Sequence, residues 1–247
     1  MSEILKINNL WGGYKEGIDI LRGISMEVQQ GEAVGIIGLN GSGKSTFGKA
    51  IMNMIPFRKG EIFFEGEDIT SLTTSQLSHR GIAIMQQGGK VFPNLSVWDN
   101  LQMAVQSCDG QWSSQRHTLS EKMVNGQFAE LIPLLQRPKK ELQHLMADKL
   151  SGGQKHQLSL AMTLATNPRL VILDEPSAGL SPKAVEEMYV ILQAVKGKIG
   201  TSIILIEQNI AKAVEYSKHF YLLEQGVFNK KQIIESFNDI KSIMFNK

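Results

Sequence analysis

The segment Gly38-Leu39-Asn40-Gly41-Ser42-Gly43-Lys44-Ser45-Thr46 constrains this 247-residue chain more than any other. It follows an apolar run, Val34 to Ile37, and opens a helical pattern from Lys44 to Ile55. Strand, glycine-rich turn and helix, in that order, are the context a phosphate-binding loop requires. The glycines let the backbone turn tightly, so that successive N–H groups point at phosphate oxygens with the helix N-terminus behind them. Lys44 would reach the β- and γ-phosphates of a nucleotide, and Ser45 would offer its hydroxyl to Mg²⁺. The plain alternative is a glycine-rich turn before a helix, which leaves the Lys-Ser pair and the preceding strand without a reason. A dinucleotide fold needs a different glycine spacing and gives Lys44 no task.

Around this loop, short apolar runs alternate with longer helical ones. Glu32 to Gly38, Ile82 to Met85, Leu170 to Leu173 and Ser202 to Ile206 read as strands. Their near-continuous apolar character suits strands covered on both faces. Helical patterns run from Lys44 to Ile55, Gly152 to Thr166, Pro182 to Val195 and Asn209 to Ser217. Pro182 directly after Ser181 is a good helix start, with Ser181 as the cap. The alternation predicts an α/β class, a P-loop core with a largely parallel sheet. Ile4 to Val28 reads as strands around turns and predicts an antiparallel β edge. Trp98 to Met146 is helical in pattern, interrupted by Cys108 to Ser114, Pro133 and Pro138. That stretch predicts an inserted α-helical lobe, about 98–160, inside a single domain of 1–247.

The strand Leu170 to Leu173 delivers Asp174 and Glu175 at its C-terminal end, where an open α/β sheet places its crevice. Asp174 is expected to hold Mg²⁺, directly or through water. Glu175 is expected to polarise the attacking water as general base. Alone, such a strand is usually just one entering a loop. Its meaning comes from Leu150-Ser151-Gly152-Gly153-Gln154, a little upstream.

The P-loop, Leu-Ser-Gly-Gly-Gln and Leu-Asp-Glu-Pro, in that order, resemble the ABC ATPase family over nearly the whole chain. The resemblance implies ATP and Mg²⁺ as cofactors and hydrolysis of ATP to ADP and phosphate. It assigns Gly38, Asn40, Gly41, Ser42, Gly43, Lys44, Ser45 and Thr46 to the nucleotide. It also implies that Ser151, Gly152, Gly153 and Gln154 of one subunit close on the γ-phosphate held by another, so that two subunits form the working unit. A helix start is a ready anion site; a plain helix cap at Ser151 is the simpler reading, and both can hold. Tyr14 falls where the family stacks an aromatic ring on adenine, with a core tyrosine as the alternative. Gln87 resembles the glutamine that senses Mg²⁺ and the membrane partner, although Gln86 is adjacent and only Gly88 decides between them. Ser177-Ala178-Gly179-Leu180-Ser181-Pro182 resembles the loop through which subunits communicate. One position departs: most of the family carries a histidine against the γ-phosphate where this chain has Gln208. Its amide can donate a hydrogen bond but carries neither proton nor charge.

Glu207-Gln208-Asn209, Gln87-Gly88 leading into Val91 to Val97, and the Ser177 to Pro182 loop together resemble the ATPase subunits of bacterial importers for branched-chain amino acids, urea and short amides. Gly89, where that branch usually has arginine, and Cys108 to Thr118 fit it poorly. The branch implies integral-membrane permease partners and a peripheral place on the cytoplasmic face of the inner membrane. A soluble ABC ATPase of iron–sulfur assembly would share every nucleotide motif, and a regulatory cassette that barely hydrolyses ATP is a further alternative. A chromosome-maintenance ATPase is disfavoured, since no long heptad run separates P-loop from signature.

Composition bounds the partners. A formal net charge of +2 gives no support for nucleic acid as a main partner. The single cysteine, Cys108, excludes an internal disulfide. Met1 to Leu10 lacks a signal-peptide apolar core, and runs such as Ile203 to Ile206 are far short of the roughly 20 residues a membrane span needs. A membrane role therefore passes through a partner, without direct insertion. Past Gly226, Ile233, Phe237, Ile240 and Met244 are spaced for one helical face, which most simply packs on the domain's own core, with a partner-binding helix as the alternative. Lys139-Lys140 reads as a solvated face.

Overall fold

The computed structural model describes residues 2–109, 130–217 and 219–228. The one-faced helix expected between Ile233 and Met244 lies outside them, as does most of the stretch from Cys108 to Thr118. Two sheets make up the β structure among the described residues. β1 (Glu3–Gly13), β2 (Leu21–Gln29), β4 (Phe57–Phe64) and β5 (Glu67–Asp68) form an antiparallel sheet in the order β2-β1-β4-β5. The second sheet runs β10-β9-β3-β8-β7-β6, from Val227–Phe228, His219–Glu224, Ala33–Ile37, Ser202–Glu207, Leu170–Asp174 and Ile82–Met85. All its pairings are parallel except β9 with β10.

The central strands β3, β7 and β8 are buried at every residue. Their side chains still alternate in destination, as a period of two demands. Val34, Ile36, Ile172, Ile204 and Ile206 join a cluster with the antiparallel sheet and the first helix, α1 (Lys44–Ile51). Ala33, Val171, Leu173, Ile203 and Leu205 join another that includes Trp98, Leu101, Leu135, Leu142 and Leu150 of the lobe. Each such side chain contributes about 1.5–3 kcal/mol relative to exposure, so the central sheet welds lobe and edge to one scaffold.

The lobe is more broken than its sequence pattern. Among the described residues α3 (Val97–Asp109) comes first, and past residue 131 follow a 3₁₀ turn Pro133–Gln136, α4 (Lys139–His144), a second 3₁₀ turn Ala147–Lys149 and α5 (Gly152–Leu164). The helical pattern breaks at both prolines as expected: Pro133 opens a 3₁₀ turn after the extended Ile132, its fixed φ and missing N–H suiting a first turn, and Pro138 is the N-cap of α4. The remaining helices among the described residues are α2 (Thr74–His79), α6 (Pro182–Ile199) and α7 (Ile210–Tyr216). α1 stops at Ile51, short of the expected Ile55, because Asn53 takes a left-handed φ of 52°. Lys139 is less solvated than expected, its ammonium lying 4.6 Å over the Trp98 ring.

Candidate nucleotide site

The parallel strands β3, β6, β7 and β8 all end at one edge, and the candidate residues collect there. The P-loop leaves β3 through Gly38, where an added Cβ would lie 2.4 Å from the Leu223 carbonyl oxygen, so only glycine fits. Gly43, at φ 105°, is the N-cap of α1, and no side chain caps that helix. Its first-turn N–H groups therefore have no side-chain acceptor.

Lys44 is 4% exposed. Its ammonium donates to the carbonyls of Gly38 and Leu39 at 3.0 and 3.1 Å and stands 3.7 Å from a Glu175 carboxylate oxygen. Ser45 donates from its hydroxyl to Asp174 Oδ1 at 2.9 Å, across 129 residues of sequence. Gln87, at the end of β6, donates from its amide to Glu175 Oε2 at 2.8 Å. That contact separates it from Gln86, which lines a different cleft with Met162 and Thr163. Glu175 has a left-handed φ of 48°, sparsely populated by non-glycine residues. Its N–H donates to the Ile206 carbonyl at 2.9 Å, which anchors the turn.

The electrostatics follow from this burial. Loss of solvent raises the Asp174 carboxyl above the usual carboxylate range; the Ser45 hydrogen bond opposes the shift, the Glu175 charge adds to it, and Lys49 and Lys44 oppose it. Ser45, Asp174 and Gln87 offer hydroxyl, carboxylate and amide oxygens, the hard donor set that suits Mg²⁺.

Tyr14 is 48% exposed, just past β1, so the core-tyrosine alternative does not hold. Ser151 caps α5: its hydroxyl accepts from the Gln154 N–H at 3.3 Å, and Gln154 Oε1 accepts from the Ser151 N–H at 3.0 Å. This segment is not part of the P-loop site of its own chain. It lines a cleft of about 580 Å³ with Gly179, Leu180, Ser181 and Lys183, and no P-loop residue borders that cleft. Gln208 is exposed at the tip of β8, its backbone N–H donating to Glu207 at 3.1 Å.

Glu207 itself is the residue that sequence reading passed over. It is buried and accepts from Ser177, Tyr189, Gln208 and Asn209. The available signal was an acid closing an otherwise apolar strand, the same signal that singled out Asp174.

The ABC transporter family model matches residues 21–178, from β2 through the P-loop and signature to the turn after Glu175. The chain belongs to the ABC transporter family. As a member of it, the chain is an ATPase. A branched-chain amino acid transport ATP-binding protein, BraG of Pseudomonas aeruginosa, is 32% identical over 86% of this chain and 86% of its own. The lipopolysaccharide export ATP-binding protein LptB of Escherichia coli is 29% identical over 90% of this chain and 87% of its own. A solved ATP-binding cassette of an ABC transporter in its ADP conformation superposes with a TM-score of 0.77 at 26% identity, covering 98% of both chains. The fold of this ABC ATPase is thus the P-loop α/β core, antiparallel edge and helical lobe expected from its sequence. Among the described residues no helix is long and apolar enough to cross a membrane.

Proposed function

We propose that this ABC ATPase energises a membrane importer for branched-chain or other hydrophobic amino acids, urea or amides, working as a dimer of cassettes on the cytoplasmic face of permease subunits. The observation that carries the catalytic part is the convergence of Lys44, Gln87 and Glu175, with Ser45 on Asp174, at one sheet edge. The branch rests on the BraG relative and on the Glu207-Gln208-Asn209 and Gln87-Gly88 segments. Residues 1–247 act in this reading as one domain, since one hydrophobic cluster runs from lobe to central sheet.

The P-loop from Gly38 to Thr46 holds the phosphates by its N–H groups, and Tyr14 stacks on the adenine. Mg²⁺, held by Ser45, Asp174 and Gln87, would neutralise charge on the β- and γ-phosphates. Lys44 leaves its loop carbonyls for the β- and γ-oxygens. Glu175 accepts the proton of the attacking water, and Gln87 and Lys44 fix its carboxylate beforehand. Gln208 donates its amide to the γ-phosphate. Ser151, Gly152, Gly153 and Gln154 of the second cassette complete the site, a reading supported by the cleft they line, which no P-loop residue of their own chain borders. Phosphoryl transfer then proceeds by positioning and charge stabilisation.

Glu175→Gln keeps the shape of the site and removes the base. ATP binding should persist while steady-state hydrolysis falls about 10²–10⁴-fold; ordinary turnover in that variant would remove Glu175 from the mechanism. The LptB relative favours a second reading, in which the chain energises export. Co-purification with native chromosomal neighbours from detergent-solubilised membranes decides between them. Multi-span permease subunits with a solute-binding protein support import, multi-span subunits without one support export, and only soluble partners sink the transporter reading.

A further inference from the structure

Glu207 closes β8 at 1% exposure, and its carboxylate accepts from five donors. Oε1 takes the Ser177 hydroxyl at 2.7 Å, the Tyr189 hydroxyl at 3.0 Å and the Ser177 N–H at 3.4 Å. Oε2 takes the N–H groups of Gln208 and Asn209 at 3.1 and 3.3 Å. The two oxygens serve different loops: one the turn that follows Glu175, the other the turn at 208–209. Backbone N–H groups can only donate. They stand against both oxygens, so both ends of the side chain must accept, which a carboxylate does and an amide does not.

Burial alone would require only that these groups be satisfied. The places where the contacts end say more. Ser177 is two residues past Glu175, and the Glu175 N–H donates to Ile206, the residue before Glu207. The segments 175–177 and 206–209 are therefore tied by backbone and side chain together, across the strand end that holds Glu175 at its positive φ.

We propose that Glu207 is a positioning residue for hydrolysis, its carboxylate locking the turn after Glu175 and the turn at Gln208 into one arrangement. This rests on the reading of Glu175 as the general base. Glu207 touches no reacting atom; it fixes the loops that do.

Glu207→Gln is the sharpest probe. Its amide nitrogen would repel two N–H groups on the Gln208 side and one on the Ser177 side, so it turns toward Ser177 and Tyr189, whose hydroxyls can accept. The Ser177 N–H then loses its acceptor while the Gln208 turn is kept. Affinity for a fluorescent ATP analogue should stay within about twofold, and kcat should fall about tenfold to hundredfold with little change in KM. Ser177→Ala should lower kcat in the same sense, and the double variant should be no slower than Glu207→Gln alone, the non-additivity of residues sharing one bond. Wild-type kcat in Glu207→Gln or in Ser177→Ala overturns the proposal, as does a loss confined to melting temperature or nucleotide affinity. Ser177→Ala keeps every buried apolar contact and decides alone if Glu207→Gln does not fold. A Glu175→Gln control separates the two ideas. Normal turnover there overturns the base reading and the positioning proposal with it, whereas an inactive control beside normal Glu207 variants sinks the positioning proposal only.

Discussion

Two helices of this ABC ATPase begin with glycine and serine and finish that beginning in opposite ways. α1 starts at Gly43 in a left-handed conformation, with no side chain accepting from its first turn. α5 starts at Ser151 and is closed by a reciprocal pair of hydrogen bonds with Gln154. The same partial positive charge sits at both ends. At α1 it is left for an external anion; at α5 the chain's own oxygens already answer it. The difference teaches that a helix start can be built to depend on a ligand or to stand without one. In the proposed mechanism the first kind grips ATP in its own chain, and the second is offered, ready formed, to the neighbouring cassette.

The largest expected effect would break the α1 side of that comparison. Lys44→Ala leaves the buried Glu175 carboxylate without its cation and the phosphates without a charge partner. Hydrolysis should fall about 10²–10³-fold, with weaker ATP binding by calorimetry; retained affinity and rate would mean the α1 end is not the phosphate grip. Next comes Gly43→Ala, which forces a Cβ onto a φ of 105°. Denaturant unfolding should show a loss of about 1–3 kcal/mol, and an unchanged midpoint would contradict the strained start assigned to this helix. Ser151→Ala removes the self-made cap of α5 and should cost about 1 kcal/mol. ATP affinity of the monomeric cassette should stay unchanged while hydrolysis by the dimer slows, and a drop in monomer affinity would place Ser151 in the site of its own chain. The smallest effect concerns pH. Burial raises the Asp174 carboxyl in the folded state, so folding favours its protonated form. The stability this contributes is present below the ordinary carboxylate pKa of 3.8 and is lost as pH rises through the raised value. Asp174→Asn should therefore raise the melting temperature of the nucleotide-free protein at neutral pH by about 2 °C, a gain that disappears near pH 3.

Where a local rule decided the outcome, the sequence was readable. The P-loop, Ser181 with Pro182, and the apolar runs within β7 and β8 needed only spacing and composition. The antiparallel strand β4 was not, because Phe57 to Gly60 opens with exposed and polar residues and its Gly60 turns at φ 104° against Asn9. β10 was also missed, since a two-residue strand at a sheet edge carries little periodic signal, and β9, which lies between β10 and β3, was missed with it. Within the candidate site, Asp174 and Glu175 were legible from a strand ending in acids, and Gln87 is set apart from Gln86 only by its reach to Glu175. The left-handed φ of Glu175 and the five donors around Glu207 are tertiary facts, set by the register of β7 against β8.

That register, Asp174 opposite Ile206, also fixes where the chain can change length without harm. Lengthening a connection leaves the sheet edge as it is, because loop closure grows dearer only slowly with length. One residue inserted within β7 is another matter. The side-chain period is two, so it would swap the faces of everything beyond it, turning Asp174 away from Ser45 and toward the lobe. Strands of five and six residues thus act as rulers, and the molecule's tolerance for growth lies wholly outside them.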